Sequence, residues 1–187
     1  MAVRPIYVAP HPVLKTPAPP VEGGVTDELR QLMDDMLDTM YDAEGIGLAA
    51  PQIGISKRVL VLDVEQGARG ERDGARGNPI CFVNPEIVWT SDEINTYEEG
   101  CLSIPGQYAP VDRPEKVRVK YLDYDGNTQE IEADGLLATC LQHEIDHLDG
   151  ILFLDHISKL KRDMLMRKLK KWTKDNAEDI KDTHILL

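Results

Sequence analysis

The sequence of 187 residues contains few cysteines and no long apolar run. Its three cysteines, Cys81, Cys101 and Cys140, are too sparse and odd in number for the disulfide framework of a secreted domain. No stretch approaches the length of a membrane span, and the N-terminal apolar run, broken by Pro10 and Pro12, is too short for a signal peptide. We therefore expect a cytoplasmic protein without a membrane partner.

Basic residues are also scarce relative to acidic ones, with 21 lysines and arginines against 33 aspartates and glutamates. The resulting net charge of −12 argues against a general nucleic-acid binder, including a DNA-binding protein. The length fits one domain, so we expect a single catalytic or binding unit over residues 1–187.

The hydrophobic pattern predicts an α+β fold. Apolar residues at helical spacing follow Thr26, which is a suitable helix cap. From 58 to 132 the chain has short β-rich runs, and turn signals at 84–85 and 125–127 predict mostly antiparallel strands. Helical patterns return at 135–149 and at about 158–174. Residues 67–79 are expected to form an exposed loop, and about 175–187 a polar tail.

The segment LQHEIDHLDG, at 141–150, places His143 and His147 four residues apart with Glu144 beside the first. On a helix, both imidazoles lie on one face and can bind a single ion. Two structural histidines on an ordinary helix are the alternative, but a shared divalent ion would satisfy both buried rings. Glu144 could then take a proton from a water molecule whose pKa the ion lowers. The predicted strands would surround this central metal-binding helix.

A hydrolytic metal usually has three protein ligands, so a third must come from elsewhere in the chain. The positions that other HExxH proteases use downstream of the second histidine carry no ligand here. The best donor is EEGCLSIPG, at 98–106, where Cys101 follows Gly100. A thiolate suits Fe²⁺ or Zn²⁺. Considered alone, Cys101 is better interpreted as a small buried residue of the core.

The stretch GIGLAAPQIG, at 45–54, has two glycines that suit a backbone running close to a ligand. It lacks the spacing of a dinucleotide-binding fingerprint. Gln52 could offer an amide donor to a developing oxyanion. A simple turn between a helix and a strand is the alternative interpretation.

Taken together, GIGLAAPQ, EGCLS and QHEIDH, in this order and at these separations, closely resemble the three signature segments of the peptide deformylase family. PHPVLKTPA near the N-terminus extends the resemblance over nearly the whole chain. The resemblance implies a hydrolase that removes the N-formyl group from N-formylmethionyl nascent polypeptides and releases formate. The alternatives are a metalloendopeptidase of the HExxH type and a catalytically silent binder of formylated N-termini.

The resemblance also implies a role for individual residues. The metal ligands would be Cys101, His143 and His147. Glu144 would be the acid/base group, while Gln52 and the backbone N–H of Leu102 would stabilise the oxyanion. The cofactor would be one divalent ion per chain, with Fe²⁺ as the native metal and Zn²⁺, Ni²⁺ or Co²⁺ able to occupy the site.

An extended substrate is implied as well, paired with backbone near Gly47 and Gly100 in the manner of strand addition. Its methionine side chain would enter an apolar pocket whose candidate lining residues, by position, are Ile46, Tyr97, Leu136, Thr139 and Cys140. Many bacterial members of the family have arginine where this chain has Tyr108, so the rim of the cleft differs.

The last predicted helix is basic, with eight lysines and arginines against one aspartate in residues 156–174. One side is expected to carry the apolar residues Leu160, Met164, Leu165, Leu169 and Trp172. The basic side could be the solvated face of an amphipathic helix. Alternatively it could dock on ribosomal RNA near the tunnel exit, which the resemblance supports.

Overall fold

The computed structural model describes residues 2–65, 77–176 and 185–186. Most of the predicted exposed loop and most of the predicted polar tail lie outside the described residues. The described part of the chain contains three α-helices and nine strands, and none of its helices is both long and apolar enough to cross a membrane.

A run of seven strands separates the first α-helix from the other two along the chain. The elements are β1 (Ile6–Tyr7), α1 (Asp27–Asp42), β2 (Gly47–Ala49), β3 (Val59–Leu62), β4 (Ile80–Thr90), β5 (Ile94–Cys101), β6 (Ile104–Pro114), β7 (Lys116–Leu122), β8 (Thr128–Asp134), α2 (Gly135–Leu148), α3 (Lys159–Asp175) and β9 (Ile185–Leu186). Three short 3₁₀ helices cover 12–15, 50–53 and 153–156. The α+β prediction is confirmed.

The strands form three sheets. The largest is antiparallel with the order β2-β3-β4-β7-β8, and β5 and β6 form a separate antiparallel pair. β1 and β9 form a short parallel pair. The prediction of mostly antiparallel strands is therefore confirmed.

Both faces of strand β3 are covered, because α1 and α2 pack on opposite sides of it. Val59 and Val61 belong to the cluster that includes the apolar stripe of α1, whereas Leu60 and Leu62 pack with α2. Alternate residues of a strand point to opposite faces, so this run of four apolar residues serves two layers. The two layers bury one side of each helix and hold α2 against the sheet.

Helix α1 follows its predicted pattern. The Thr26 side chain caps it by accepting a hydrogen bond from the Leu29 N–H at 3.3 Å. Its predicted apolar stripe is buried, including Met33, Met36 and Met40. The methionines are therefore core residues.

The predicted turn at Asn84–Pro85 is wrong, because β4 continues through both residues. Asn84 has a φ of +50°, and the pairing with β7 shifts register between Val83 and Glu86. The Asn84 side chain bonds the backbone N–H and C=O of Val21, both at 2.8 Å. The chain thus forms a bulge that is anchored to the N-terminal segment.

The apolar side of α3 is narrower than predicted. Only Leu165 and Leu169 are buried in this helix, whereas Leu160 is 77% exposed and Met164 is 44% exposed. The prediction that Leu160 and Met164 lie on the same side of the helix as Leu165 and Leu169 is therefore wrong. The other face of α3 combines these two side chains with the exposed lysines.

Candidate active site

The two histidines of α2 meet the cysteine at the end of β5. The nitrogen donors of His143 and His147 and the Sγ atom of Cys101 all lie within 4.8 Å of one another. Sγ of Cys101 is 3.2 Å from Nε2 of His147. The spacing i, i+4 brings the imidazoles together on the buried face of α2, with ring centroids 5.0 Å apart. One thiolate and two imidazoles form a donor set that suits a divalent transition metal.

A buried acid fixes the orientation of one imidazole. The Nδ1–H of His143 donates to Oε2 of Glu99 at 2.9 Å, which leaves Nε2 as the nitrogen available to an ion. Burial by itself lowers the pKa of His143, but hydrogen bonds with Cys101 and Glu99 outweigh burial and raise this pKa well above 6.5. Burial and the nearby charge of His143 lower the pKa of His147. A carboxylate behind a histidine ligand is a common feature of metal sites, so the set fits an ion.

Arg113 of β6 holds this acid in place. Its Nη2 donates to Glu99 at 3.0 Å and its Nη1 donates to Asp146 at 2.9 Å. Asp146 also lies 2.7 Å from Nε2 of His156. Asp146 is therefore a partner of Arg113 and His156 and does not belong to the group of Cys101, His143 and His147. The sequence did not point to Glu99 or Arg113, although Glu99 lies two residues before Cys101.

Glu144 lies in the same cleft and is 5% exposed. Burial raises the pKa of its carboxyl group to about 7. Among the described residues, Oε2 of Glu144 and Nδ1 of His147 are the buried side-chain polar atoms without a hydrogen-bond partner. A buried carboxylate with a free oxygen can accept and return a proton.

Gln52 is buried and held at both ends of its amide. Its Oε1 accepts from the Ala49 N–H at 2.8 Å, and its Nε2 donates to Oγ of Ser103 at 3.1 Å. Nε2 is also 3.5 Å from Sγ of Cys101. The amide nitrogen therefore lies beside the sulfur of Cys101, and Ser103 helps to hold it there. Ser103 is a supporting residue that sequence reasoning missed.

A cavity of about 600 Å³ connects these groups. Its lining includes every residue predicted to bind substrate, namely Ile46, Gly47, Tyr97, Gly100, Leu136, Thr139 and Cys140. Gln52, Leu102 and Glu144 line it as well. Tyr108 is 60% exposed at the cavity, with its ring against Gly100. An ion site, a buried carboxylate and an amide donor on one cleft are the parts that amide hydrolysis requires.

The other two cysteines are buried thiols. Burial raises the pKa of both Cys81 and Cys140 to about 12. A thiol with so high a pKa stays neutral near pH 7 and is a poor nucleophile. Both belong to the buried core clusters, and Cys140 also lines the cavity.

Comparison with known proteins gives consistent matches. A family model described as polypeptide deformylase matches residues 3–163. A peptide deformylase from Methylocella silvestris is 59% identical over 97% of this chain and 90% of its own length. A crystal structure of peptide deformylase from Ehrlichia chaffeensis superposes with a TM-score of 0.86 at 42% identity, covering 94% of this chain and 99% of that one. A class I type b peptide deformylase from Acinetobacter baumannii, bound to Met-Ala-Ser, has a TM-score of 0.77 at 41% identity, covering 83% and 99%.

Proposed function

Because the chain belongs to the polypeptide deformylase family, it is a hydrolase that removes the N-formyl group from nascent peptides, and we propose which of its residues carry the reaction. The family is one of metalloenzymes. In this proposal Cys101, His143 and His147 hold one divalent ion. The observation that carries the proposal is the convergence of their donor atoms within 4.8 Å of one another.

An ion bound there would supply Lewis acidity, which lowers the pKa of water and polarises the formyl oxygen. Oε2 of Glu144 accepts the proton of the attacking water and delivers it to the departing amine nitrogen. The C–O bond to the formyl carbon forms and the C–N bond breaks, which yields formate and a free N-terminus. Nε2 of Gln52 and the N–H of Leu102 donate to the formyl oxygen as negative charge develops on it.

The substrate lies extended in the cleft, next to the backbone of Gly47 and Gly100. Its methionine side chain occupies the part of the cavity lined by Ile46, Tyr97, Leu136, Thr139 and Cys140. Support comes from the lining of the cavity and from the A. baumannii relative, whose structure contains Met-Ala-Ser. Tyr108 at the rim makes an aromatic rather than a cationic contact with the peptide.

The native metal in this proposal is Fe²⁺, with Zn²⁺, Ni²⁺ or Co²⁺ able to replace it. Mixed thiolate and imidazole ligands accept both Fe²⁺ and Zn²⁺. Anaerobic purification, followed by elemental content and activity per metal ion, tests this assignment. If exposure to air removes both the iron and the activity, the assignment of Fe²⁺ is supported. Full activity of the zinc form in air would contradict the assignment.

The substitution Glu144→Gln tests the catalytic assignment, with formate release from formyl-Met-Ala-Ser as the measurement. We expect kcat to fall by a factor of about 10² to 10⁴ with unchanged metal content, because positioned proton transfer contributes rate accelerations of that order. Glu86→Gln on the exposed part of β4 is the control and should keep the full rate. Full activity of Glu144→Gln would contradict the assignment.

The exposed basic face of α3 is proposed to dock on ribosomal RNA, so that the enzyme acts in the cytoplasm on emerging chains. Deletion of α3 would remove Leu165 and Leu169 from the core, so charge substitutions give the cleaner test. Replacing Lys161, Lys168 and Lys171 by Gln should weaken co-sedimentation with ribosomes at low salt and reduce its salt dependence. The matched control replaces Lys57, Lys116 and Lys120, which are also exposed. Equal binding of both triple variants contradicts the proposal.

A further inference from the structure

The cavity continues past the proposed methionine pocket onto three other elements. Its lining includes Ile6 of β1, Pro105 and Gly106 of β6, and Trp172 of α3. The N-terminal segment runs beside the start of β6, because the Ala9 N–H donates to the Ser103 carbonyl at 2.9 Å. None of the four lining residues named first carries a group that can donate or accept a catalytic proton. We therefore assign this region of the cavity to binding and not to the chemical step.

Trp172 is held in this region by the packing of its own helix. Leu165 and Leu169 are buried beside Ile104 of β6, and Trp172 follows Leu169 by three residues on the same helical face. Gly106 has a φ of +70°, and a Cβ atom there would lie 3.5 Å from both Cδ1 and Nε1 of the indole. The indole therefore packs against the backbone of Gly106, which has no side chain in the way. Trp172 is only half-buried, and it lines the cavity.

We propose that Trp172 forms an apolar subsite of the deformylase cleft that binds a hydrophobic side chain of the nascent chain downstream of formylmethionine. The inference rests on the proposed function, since it takes the cavity as the peptide cleft. A peptide advances about 3.3 Å per residue when extended, so residues beyond the first reach other parts of the same cavity. An aromatic ring offers a large apolar contact and loses little conformational entropy on binding.

Four formylated tetrapeptides test the subsite: formyl-Met-Ala-Ser-Ser and the three variants with Leu at position 2, 3 or 4. We expect Leu at one position to raise kcat/KM about five- to tenfold in the wild type, as expected for partial burial of a leucine side chain. In Trp172→Ala the ratio of kcat/KM between the leucine peptide and formyl-Met-Ala-Ser-Ser should fall to about one, whereas Trp172→Phe should retain most of the gain. No gain at any position, or an equal gain in Trp172→Ala, would overturn the proposal.

A binding signal independent of turnover comes from tryptophan fluorescence, because the chain has two tryptophans. Trp89 is 42% exposed on β4 beside Arg118, so Trp89→Phe leaves Trp172 as the single reporter. The emission of this variant should shift on adding the product peptide that carries Leu at the preferred position, and should shift less with Met-Ala-Ser-Ser. Identical spectra with both peptides would overturn the subsite.

Two further outcomes separate the possible failures. If no formylated peptide is hydrolysed, the proposed function fails, whereas equal turnover of all four peptides removes only the subsite.

Discussion

Gly47 of β2 lies directly beside the carboxylate of Glu144. A Cβ atom at this position would lie 2.6 Å from Oε1 of Glu144 and 2.8 Å from Cδ2 of Leu62. Both distances are shorter than the contacts that Cβ atoms make in proteins, so one of the neighbours would have to move. The buried carboxylate is the group whose displacement affects catalysis.

We therefore predict that Gly47→Ala lowers kcat about 10- to 100-fold, because displacement of a catalytic group by about 1 Å can cost that much. The metal content should not change, since Cys101, His143 and His147 are untouched. Steady-state kinetics on formyl-Met-Ala-Ser measures the effect. In a Glu144→Gln background the same glycine substitution should cost little further rate, and a full additional loss would contradict the contact.

Among single residues, those that were predictable belong to short motifs. His143, Glu144 and His147 are related by helical spacing alone, and Cys101 and Gln52 lie in stretches that resemble known segments. The supporting residues could not be found in this way. Arg113 reaches Glu99 from the neighbouring strand, where the register pairs Arg113 with Asn95, and no local sequence pattern encodes this contact.

At the scale of elements, the sequence pattern did not predict strand β6. It contains Pro105, Pro110 and Pro114, and proline normally weighs against a strand. The two-stranded sheet of β5 and β6 consists of edge strands, where a missing backbone N–H is tolerated. Pro85 of β4 was likewise interpreted as part of a turn, although tertiary pairing keeps β4 extended there.

The ion pairs of Arg113 join β5, β6 and α2, and we predict that Arg113→Ala destabilises the protein by about 3–5 kcal/mol. The cost arises because the buried Glu99 and the partly buried Asp146 each lose one ion-pair partner, and the side chains of Glu99 and Arg113 are both 5% exposed. Urea unfolding measures it. Arg118→Ala removes an exposed pair with Glu132 and should change stability by about 1 kcal/mol or less. Equal effects of the two substitutions would contradict the prediction.

Helix α3 offers a matched pair of leucines. Leu169 is 1% exposed and packs with Leu165 and Ile104, so Leu169→Ala should cost about 2–5 kcal/mol of unfolding free energy. Leu160 is 77% exposed, and Leu160→Ala should stay within about 0.5 kcal/mol of the wild type. Thermal or urea unfolding of the two variants decides. A large loss for Leu160→Ala would mean that its face of the helix is covered.

At the scale of the whole molecule, the site depends on three segments that are far apart in sequence. Gln52 follows β2, Cys101 ends β5 and the histidines belong to α2. The class of fold was predictable, because helical and β-rich patterns are separated along the chain. The pairing of β5 with β6 outside the main sheet was not, since it depends on contacts between distant residues. Packing of α2 against the main sheet then brings the segments to one cleft.

X-ray absorption at the zinc edge of zinc-loaded protein tests the central claim that one thiolate and two imidazoles share an ion. The account predicts one ion per chain, with one sulfur neighbour at about 2.3 Å and two imidazole nitrogens at about 2.0–2.1 Å. The sulfur neighbour should disappear in Cys101→Ser. A wild-type spectrum with only nitrogen and oxygen neighbours would contradict the account.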